Sequence, residues 1–380
     1  MIRSIEQTLF RLDNLNAEQE RISYQMSTGK KLQYGSDDST LYAREIYVDD
    51  KIRVYEGVKK QIERTNTQNN VSDATLSEVK ELVAYVKSEA IKALNATSTD
   101  ESRFNIAVNL EGVKKNFLSL GNEASGGEYL FSGTNPSVKP FVQDDITGKV
   151  TYQGDSQLRK VAVEDGYYRE RGVTGLEAFF YSSNTAYKGD SLEFTADARI
   201  FDQDGNEWRL NGTTIEQLDV DGNPISPAVI KSPVSNNGAT PPTYSVPVGT
   251  DDGTKFEAKI NIFDTLDNII SALREEDNLG NTISSEEAKE SLQNGIDEIA
   301  LAYDGTNGAH GKLGARNKIF ELSLERVNTK LAQFNILSLE IGAADLSKVA
   351  VESKALELTY TALYSTINKV NELSLVNFIR

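Results

Sequence analysis

The chain has 380 residues, of which 38% are hydrophobic, and a formal net charge of −17. It contains no cysteine, which excludes disulfides and thiolate chemistry. Because so acidic a surface repels phosphate backbones and the sequence has no long run of Lys and Arg, we expect no nucleic-acid partner. No apolar stretch approaches the ~18 residues of a membrane helix, and no cleavable secretory signal is visible, so we expect no membrane partner.

The first predicted element is an amphipathic helix over residues 5–26. Apolar side chains recur there in alternating steps of three and four, which indicates a heptad seam. The alternative is a helix packed into an ordinary core. A narrow seam favours pairing with another helix, so we predict an assembly seam. Its members are Ile5, Leu12, Leu15, Ile22 and Met26.

A break follows at residues 27–38. Ser27 and Thr28 are poor residues for a helix interior, and Gly29 suits the left-handed position just past a helix end. Residues 35–38, Gly-Ser-Asp-Asp, supply turn residues and candidate N-caps. The sequence therefore predicts that one helix ends here and that a second begins.

The second helix is predicted to be long and rod-like. A seven-residue apolar phase runs from Leu41 to Val83, interrupted at Asn69, and Gly57 is the only glycine or proline within it. Polar residues 95–100 break the pattern, with Thr99 or Asp100 as the N-cap of a third helix from about 101 to about 121.

Between Gly-rich turns, residues 126–136 read Gly-Gly-Glu-Tyr-Leu-Phe-Ser-Gly-Thr-Asn-Pro, which predicts a short apolar strand. A β-rich segment follows over residues 142–262, with strands expected at 149–153, 160–163, 191–195 and 255–262. Asp-Gly turns at 202–206, 219–223 and 251–253 indicate hairpins. A calcium site is the alternative for these turns, but the glycine comes fourth where an EF-hand loop needs it sixth.

Helical periodicity returns at residues 263–273 and again after Ser284. The Gly-rich residues 305–314 fail the phosphate-loop pattern, since Thr306 and Leu313 stand where Gly and Ser or Thr are required. His310 is the only histidine, which excludes a His-based triad or multi-His metal site. We therefore expect a flexible connector into the next helix, and no cofactor.

The last segment repeats the heptad pattern of the first helix. We predict that it supplies the other half of the assembly seam. Its members are Leu346, Val349, Leu356, Tyr360, Leu363, Ile367 and Val370.

Three motifs and the ending at 373–378 resemble the flagellin superfamily, and more closely its hook-associated protein 3 family. Residues 129–134 and the C-terminal ending at 373–378 favour the junction family over the filament proteins. Ser39 departs from the resemblance, because the family usually has Pro there. The motif residues are Ser27, Thr28, Gly29, Lys30, Ser36, Asp37, Asp38, Tyr129, Leu130, Phe131, Gly133, Thr134, Leu313, Gly314, Ala315 and Arg316.

The resemblance implies an α+β fold, a rod of long antiparallel helices from both chain ends with an inserted β-rich domain. The expected division is terminal coiled-coil arms at 1–38 and 340–380, disordered in the free monomer, a helical rod at 39–141 and 263–339, and a β-rich outer domain at 142–262. The resemblance also implies export without a cleavable signal. The route is the flagellar type III system, aided by a chaperone, and the destination is the extracellular flagellum. The expected partners are identical subunits, the hook-associated protein on the hook side, and flagellin on the filament side.

Two alternatives stay open at this stage. The first is flagellin itself, the filament subunit. The second is an enzyme inserted into a flagellin-like scaffold: a zinc protease lacks its His-Glu-x-x-His element here, whereas paired carboxylates of a glycosidase are not ruled out among 57 acidic residues. We expect a structural protein without catalytic or metal-binding residues.

Overall fold

The computed structural model describes residues 2–95, 99–219, 223–225, 230–231, 235–236, 242–249, 254–277 and 280–378, with side chains described between 6 and 369. Its order of elements is three helices, a long β-rich region, and three further helices. The α+β class with an inserted β-rich region, predicted from the sequence, is confirmed.

Most residues on either side of the β-rich region are helical. Thr99 caps α3, because its side chain accepts a hydrogen bond from the Ser102 amide, as the sequence predicted. The helices are α1 Ile2–Thr28, α2 Ser39–Leu94, α3 Asp100–Gly121, α4 Gly175–Ala178, α5 Ile262–Leu273, α6 Ser285–Gly342 and α7 Leu346–Phe378.

The flexible connector expected at residues 305–314 is wrong, because α6 runs through them without a break. Ala302, Thr306, Ala309 and Leu313 are buried at helical spacing. Gly305 lies so close to β7 that an added Cβ would be 3.1 Å from the Cβ of Tyr181. Packing against the neighbouring elements therefore outweighs the cost of about 1 kcal/mol that each glycine imposes on a helix.

The described strands form one six-stranded sheet, one three-stranded sheet and three hairpins. The strand orders are β12-β11-β10-β9-β15-β7 and β13-β14-β8, and the hairpins are β1-β2, β3-β4 and β5-β6. The strands are β1 Ala124–Ser125, β2 Glu128–Tyr129, β3 Phe141–Gln143, β4 Val150–Tyr152, β5 Lys160–Glu164, β6 Tyr167–Glu170, β7 Phe180–Tyr187, β8 Ser191–Thr195, β9 Arg199–Asp202, β10 Glu207–Asn211, β11 Thr214–Gln217, β12 Ile230–Lys231, β13 Ser235–Asn236, β14 Thr243–Pro247 and β15 Lys255–Asn261.

All four expected strands lie in this set as β4, β5, β8 and β15. The strand expected around Tyr129 is shorter than its apolar run, since β2 ends at Tyr129 and Leu130 and Phe131 turn into the core. At the first Asp-Gly turn, Gly205 has a φ of +81° and the Asp202 carboxylate accepts bonds from the Asp204 and Asn206 amides. Most of the other two turns lies outside the described residues.

The chain forms two compact units. The terminal unit comprises residues 1–60 and 325–380, and the central unit comprises residues 61–324. The main core of the central unit joins α2, α3, α5 and α6 to the start of the β-rich region. At its centre Phe141 contacts three other aromatic rings, those of Tyr152, Phe179 and Phe263, with centroids 4.9 to 5.4 Å away.

Candidate assembly interface

Helices α1 and α7 pair along part of the predicted seam in the terminal unit. Ile22, Val349 and Leu356 are buried against one another, and Leu15 and Tyr360 pack around them half-buried. These five residues come from the two separate heptad patterns of the sequence. The structure therefore brings the two halves of the seam together at its middle.

The remaining seam residues are less covered within one chain. Met26 and Leu346 are 52% and 54% exposed. The half-buried members are Leu12, Leu363 and Ile367. The side chains of Ile5 and Val370 lie outside the described residues.

Two backbone hydrogen bonds connect the segment that follows α1 to the segment that precedes α7. The Lys31 amide donates to the Gly342 carbonyl over 2.7 Å, and the Ala344 amide donates to the Gly29 carbonyl over 2.8 Å. Gly29 supplies the turn with a φ of +68°, which an L side chain rarely adopts. The buried Gln25 donates its side-chain amide to the Lys31 carbonyl over 2.7 Å.

The polar residues of this first motif serve local turns. Ser27 and Thr28 donate their hydroxyls to the Tyr24 carbonyl. Asp37 accepts from the Gln33 and Tyr34 amides, and Asp38 caps α2 by accepting from the Thr40 and Leu41 amides. Ser36 is exposed, and Lys30 forms an exposed ion pair with Glu45 at 3.5 Å.

Sequence reasoning missed an ion pair between the two helices. The guanidinium of Arg21 donates to Glu352 over 2.8 Å and also bonds Glu18 on its own helix. The hydrogen bond from Arg21 lowers the pKa of Glu18, and both acids raise the pKa of Arg21. The spacing Glu18-x-x-Arg21 was visible in the sequence, but nothing marked Glu352 as its distant partner.

The second motif, at residues 128–134, is held inside the central unit. Leu130 and Phe131 are buried, and the hydroxyl of Tyr152 donates to the Phe131 carbonyl over 2.8 Å. Gly133 adopts a φ of +83°, after which the Thr134 amide donates to the Asp155 carboxylate over 3.0 Å. This motif therefore stabilises the junction between the helices and the β-rich region. Asp155 is the functional partner that the sequence did not reveal.

The third motif lies in the middle of α6. Leu313 is fully buried, while Gly314 and Ala315 face solvent. Arg316 donates to Glu177 over 2.9 Å and to the Gly172 carbonyl over 2.8 Å. Burial alone would raise the pKa of Glu177, but the bond from Arg316 holds it below its usual value.

Helices α1 and α7 also carry apolar side chains that remain open to solvent. The exposed fractions are 55% for Leu9, 68% for Phe10, 71% for Val351 and 65% for Leu358. Exposed apolar groups along paired helices favour contact with further helices. Among the described residues no helix is long and apolar enough to span a membrane, and no three His, Asp or Glu side chains converge as metal ligands.

Comparison with known proteins shows which proteins this chain resembles. Residues 4–136 match the model of the bacterial flagellin N-terminal helical region. Flagellar hook-associated protein 3 of Salmonella typhimurium is 27% identical over 177 residues, which are 46% of this chain and 54% of that protein. Its Escherichia coli counterpart is 26% identical over the same length. The chain thus spans about half the length of the curated relatives it matches.

Solved structures extend the likeness to the fold. A hook-associated protein 3 of Legionella pneumophila is 19% identical with a TM-score of 0.52, over 78% of this chain and 98% of that one. A putative flagellar hook-associated protein of Vibrio parahaemolyticus is 14% identical with a TM-score of 0.53, over 81% of this chain and 100% of that one.

The helices and motifs resemble the flagellin superfamily, and the match of residues 4–136 to the flagellin N-terminal region confirms that resemblance. The curated relatives that the chain resembles are hook-associated protein 3 molecules, as residues 129–134 and the C-terminal ending predicted.

Proposed function

We propose that this chain is a structural subunit of the bacterial flagellum that forms the junction layer between hook and filament. The observation that carries the proposal is the paired α1 and α7, whose apolar side chains are only partly covered within one chain. The names of the curated relatives support the same role. No catalysis is part of the proposal.

The physical basis is the small amount of apolar surface that the pair buries by itself. At about 25 cal/mol per Å2, three buried residues and their half-buried neighbours stabilise a helix pair only slightly against the entropy of ordering it. Further stabilisation would come from packing exposed apolar side chains against neighbouring subunits. These side chains are Leu9, Phe10, Val351 and Leu358. Ordering of the terminal helices is therefore coupled to assembly.

The proposed partners are identical subunits in one layer, the neighbouring hook-associated protein on the hook side and flagellin on the filament side. The proposed route is unfolded export through the flagellar type III system with a chaperone, without a cleavable signal, to the outside of the cell. The second candidate is the filament subunit itself, which the match of residues 4–136 to the flagellin N-terminal region favours.

Deletion of the gene separates the two candidates. Electron microscopy of the deletion strain should show bare hooks, and its growth medium should contain free flagellin, because filament subunits are exported but not retained. Bare hooks without flagellin outside would mean that this chain is the filament subunit. Normal flagella would contradict both roles.

A matched pair of variants tests the seam. Leu363→Asp places a charge at a half-buried seam position, so we expect soluble monomer that does not assemble. Ser365→Asp adds the same charge at an exposed position of the same helix and should assemble as the wild type does. Deletion of residues 350–380 should behave like Leu363→Asp. Normal polymerisation of Leu363→Asp would place the interface elsewhere.

A further inference from the structure

Three guanidinium groups surround one carboxylate in the central unit. Glu128 accepts hydrogen bonds from Arg64 over 2.8 Å, from Arg159 over 3.0 Å and from Arg171 over 3.1 Å. The fourth donor is the side-chain amide of Gln68, at 3.0 Å. One negative charge thus faces three positive ones in a protein whose net charge is −17.

The surplus positive charge is partly removed from water. The Arg171 side chain is only 9% exposed and that of Arg159 is 18% exposed. Burial, together with repulsion from Arg159, lowers the pKa of Arg171 to about 10. A buried cation of this kind is stabilised by a further negative group placed close to it.

A cavity of about 10 Å3 lies beside this cluster, and both Arg159 and Arg171 line it. Asn69, at the polar position of the α2 heptad pattern, also lines the cavity and is 1% exposed. Its Nδ2 is buried and has no hydrogen-bond partner among the residues that the structure describes. An unpaired buried donor costs about 1–3 kcal/mol, so a group that accepts its hydrogen bond is favoured there.

The remaining polar side chains of the lining, those of Gln68 and Ser72, are already bonded. Ser72 donates its hydroxyl to the Gln68 carbonyl, and the Gln68 side-chain oxygen accepts from Arg171. The cavity therefore presents hydrogen-bond donors and positive charge. These suit an anion that accepts hydrogen bonds. Its small volume favours a monatomic anion over larger anions such as phosphate or sulfate.

We propose that this cavity binds one small monovalent anion, chloride in a chloride-containing medium, between Asn69 and the arginines 159 and 171. The anion joins α2 to the loop that carries Leu130 and Gly133 and to residues 172–173, which complete the lining. The site stabilises the central unit, and it is independent of the junction role.

The first test is the thermal stability of the full chain as chloride replaces gluconate at constant ionic strength. Between about 1 and 100 mM chloride we expect the Tm to rise by about 1–2 °C, because an anion that binds only the folded state stabilises it by mass action. Equal Tm values at both chloride concentrations would overturn the proposal.

Three variants locate the effect. Asn69→Leu removes the unpaired donor and should abolish the response to chloride. Asn69→Asp places a carboxylate in the cavity and should abolish the response while raising the Tm in gluconate. The control is Asn317→Leu, which removes another amide with an unpaired buried atom and should keep the full response. A response that survives in Asn69→Leu would contradict the assignment.

A crystallographic measurement on the unaltered chain covers the case in which a variant fails to fold. Crystals grown in bromide should give an anomalous difference peak in this cavity. A water molecule there without anomalous signal would overturn the proposal.

Discussion

The two units of the chain differ in how their apolar side chains are buried. In the central unit, large aromatic side chains from helices and strands are fully buried, among them Phe117, Phe131, Phe141 and Phe263. In the terminal unit, the cluster between α1 and α7 consists of three buried residues and a few half-buried ones. The central unit is therefore stabilised by its own core, whereas the terminal helices have apolar surface left for other molecules.

Removal of a core aromatic ring tests whether the central unit is stabilised by its own core. Phe131→Ala removes a fully buried ring that contacts Phe179, so we expect the free energy of unfolding to fall by about 3–5 kcal/mol. Denaturant unfolding of the purified chain measures it. Tyr167→Ala, at a residue 63% exposed, is the control and should change little. Equal effects of the two changes would contradict the description of this core.

A smaller effect concerns how tightly the same core is packed. A Cβ at Gly121 would lie 2.7 Å from the Phe141 ring, so Gly121→Ala should destabilise the chain by about 1–3 kcal/mol. Gly112→Ala on the same helix meets nothing within 4 Å and should be neutral or slightly stabilising. Thermal unfolding compares the two, and an unaffected Tm in Gly121→Ala would mean that Phe141 moves freely.

In the terminal unit, Ile22→Ala should loosen only the helix pair. Ile22 is 3% exposed and belongs to a small cluster, so we expect a local loss of about 1–2 kcal/mol. Amide hydrogen exchange should then become faster in α1 and α7, with the central unit unchanged. Met26→Ala, at a residue 52% exposed, should leave monomer exchange unaltered. Faster exchange throughout the chain would show that the two units unfold together.

The smallest effect is electrostatic. Burial, opposed by Lys149 and reinforced by Asp197 and Asp267, raises the pKa of Asp264 to about 7. Because the folded state then holds a proton that the unfolded state has lost, this group makes stability fall as pH rises from about 4 to about 7, and the loss is complete above pH 7.

Asp264→Asn removes that penalty. Relative to the wild type the variant should gain stability as pH rises from 5 to 8, because the amide does not titrate, whereas the Asp264 carboxyl must lose its proton in the folded state. Thermal unfolding at pH 5 and pH 8 measures the difference. Asp145→Asn, at an exposed loop position, should show no such trend. If the stability of Asp264→Asn relative to the wild type fell as pH rose, the raised pKa assigned to Asp264 would be wrong.

The helices and their pairing were largely predictable, because burial at a fixed period leaves a repeating pattern in the sequence. Ile22, Val349 and Leu356 were predicted in this way, and they lie together. The continuity of α6 was not predictable, because Gly305 and its neighbours are weak helix formers locally and are helical through contacts with β7. Distant polar partners, such as Glu352 for Arg21 and Asp155 for Thr134, have no periodicity that would indicate them.

The bridge between Lys30 and Ala343 has a consequence for the order in which the molecule folds. Nearly the whole chain lies between these two residues, so α1 cannot meet α7 until the last part of the sequence is available. The entropy lost on closing a loop grows only logarithmically with loop length, so this long separation lowers stability little. Its larger effect is to slow folding. When the chain is made from its N-terminus, the apolar face of α1 therefore has no α7 to pair with until the C-terminal segment is complete.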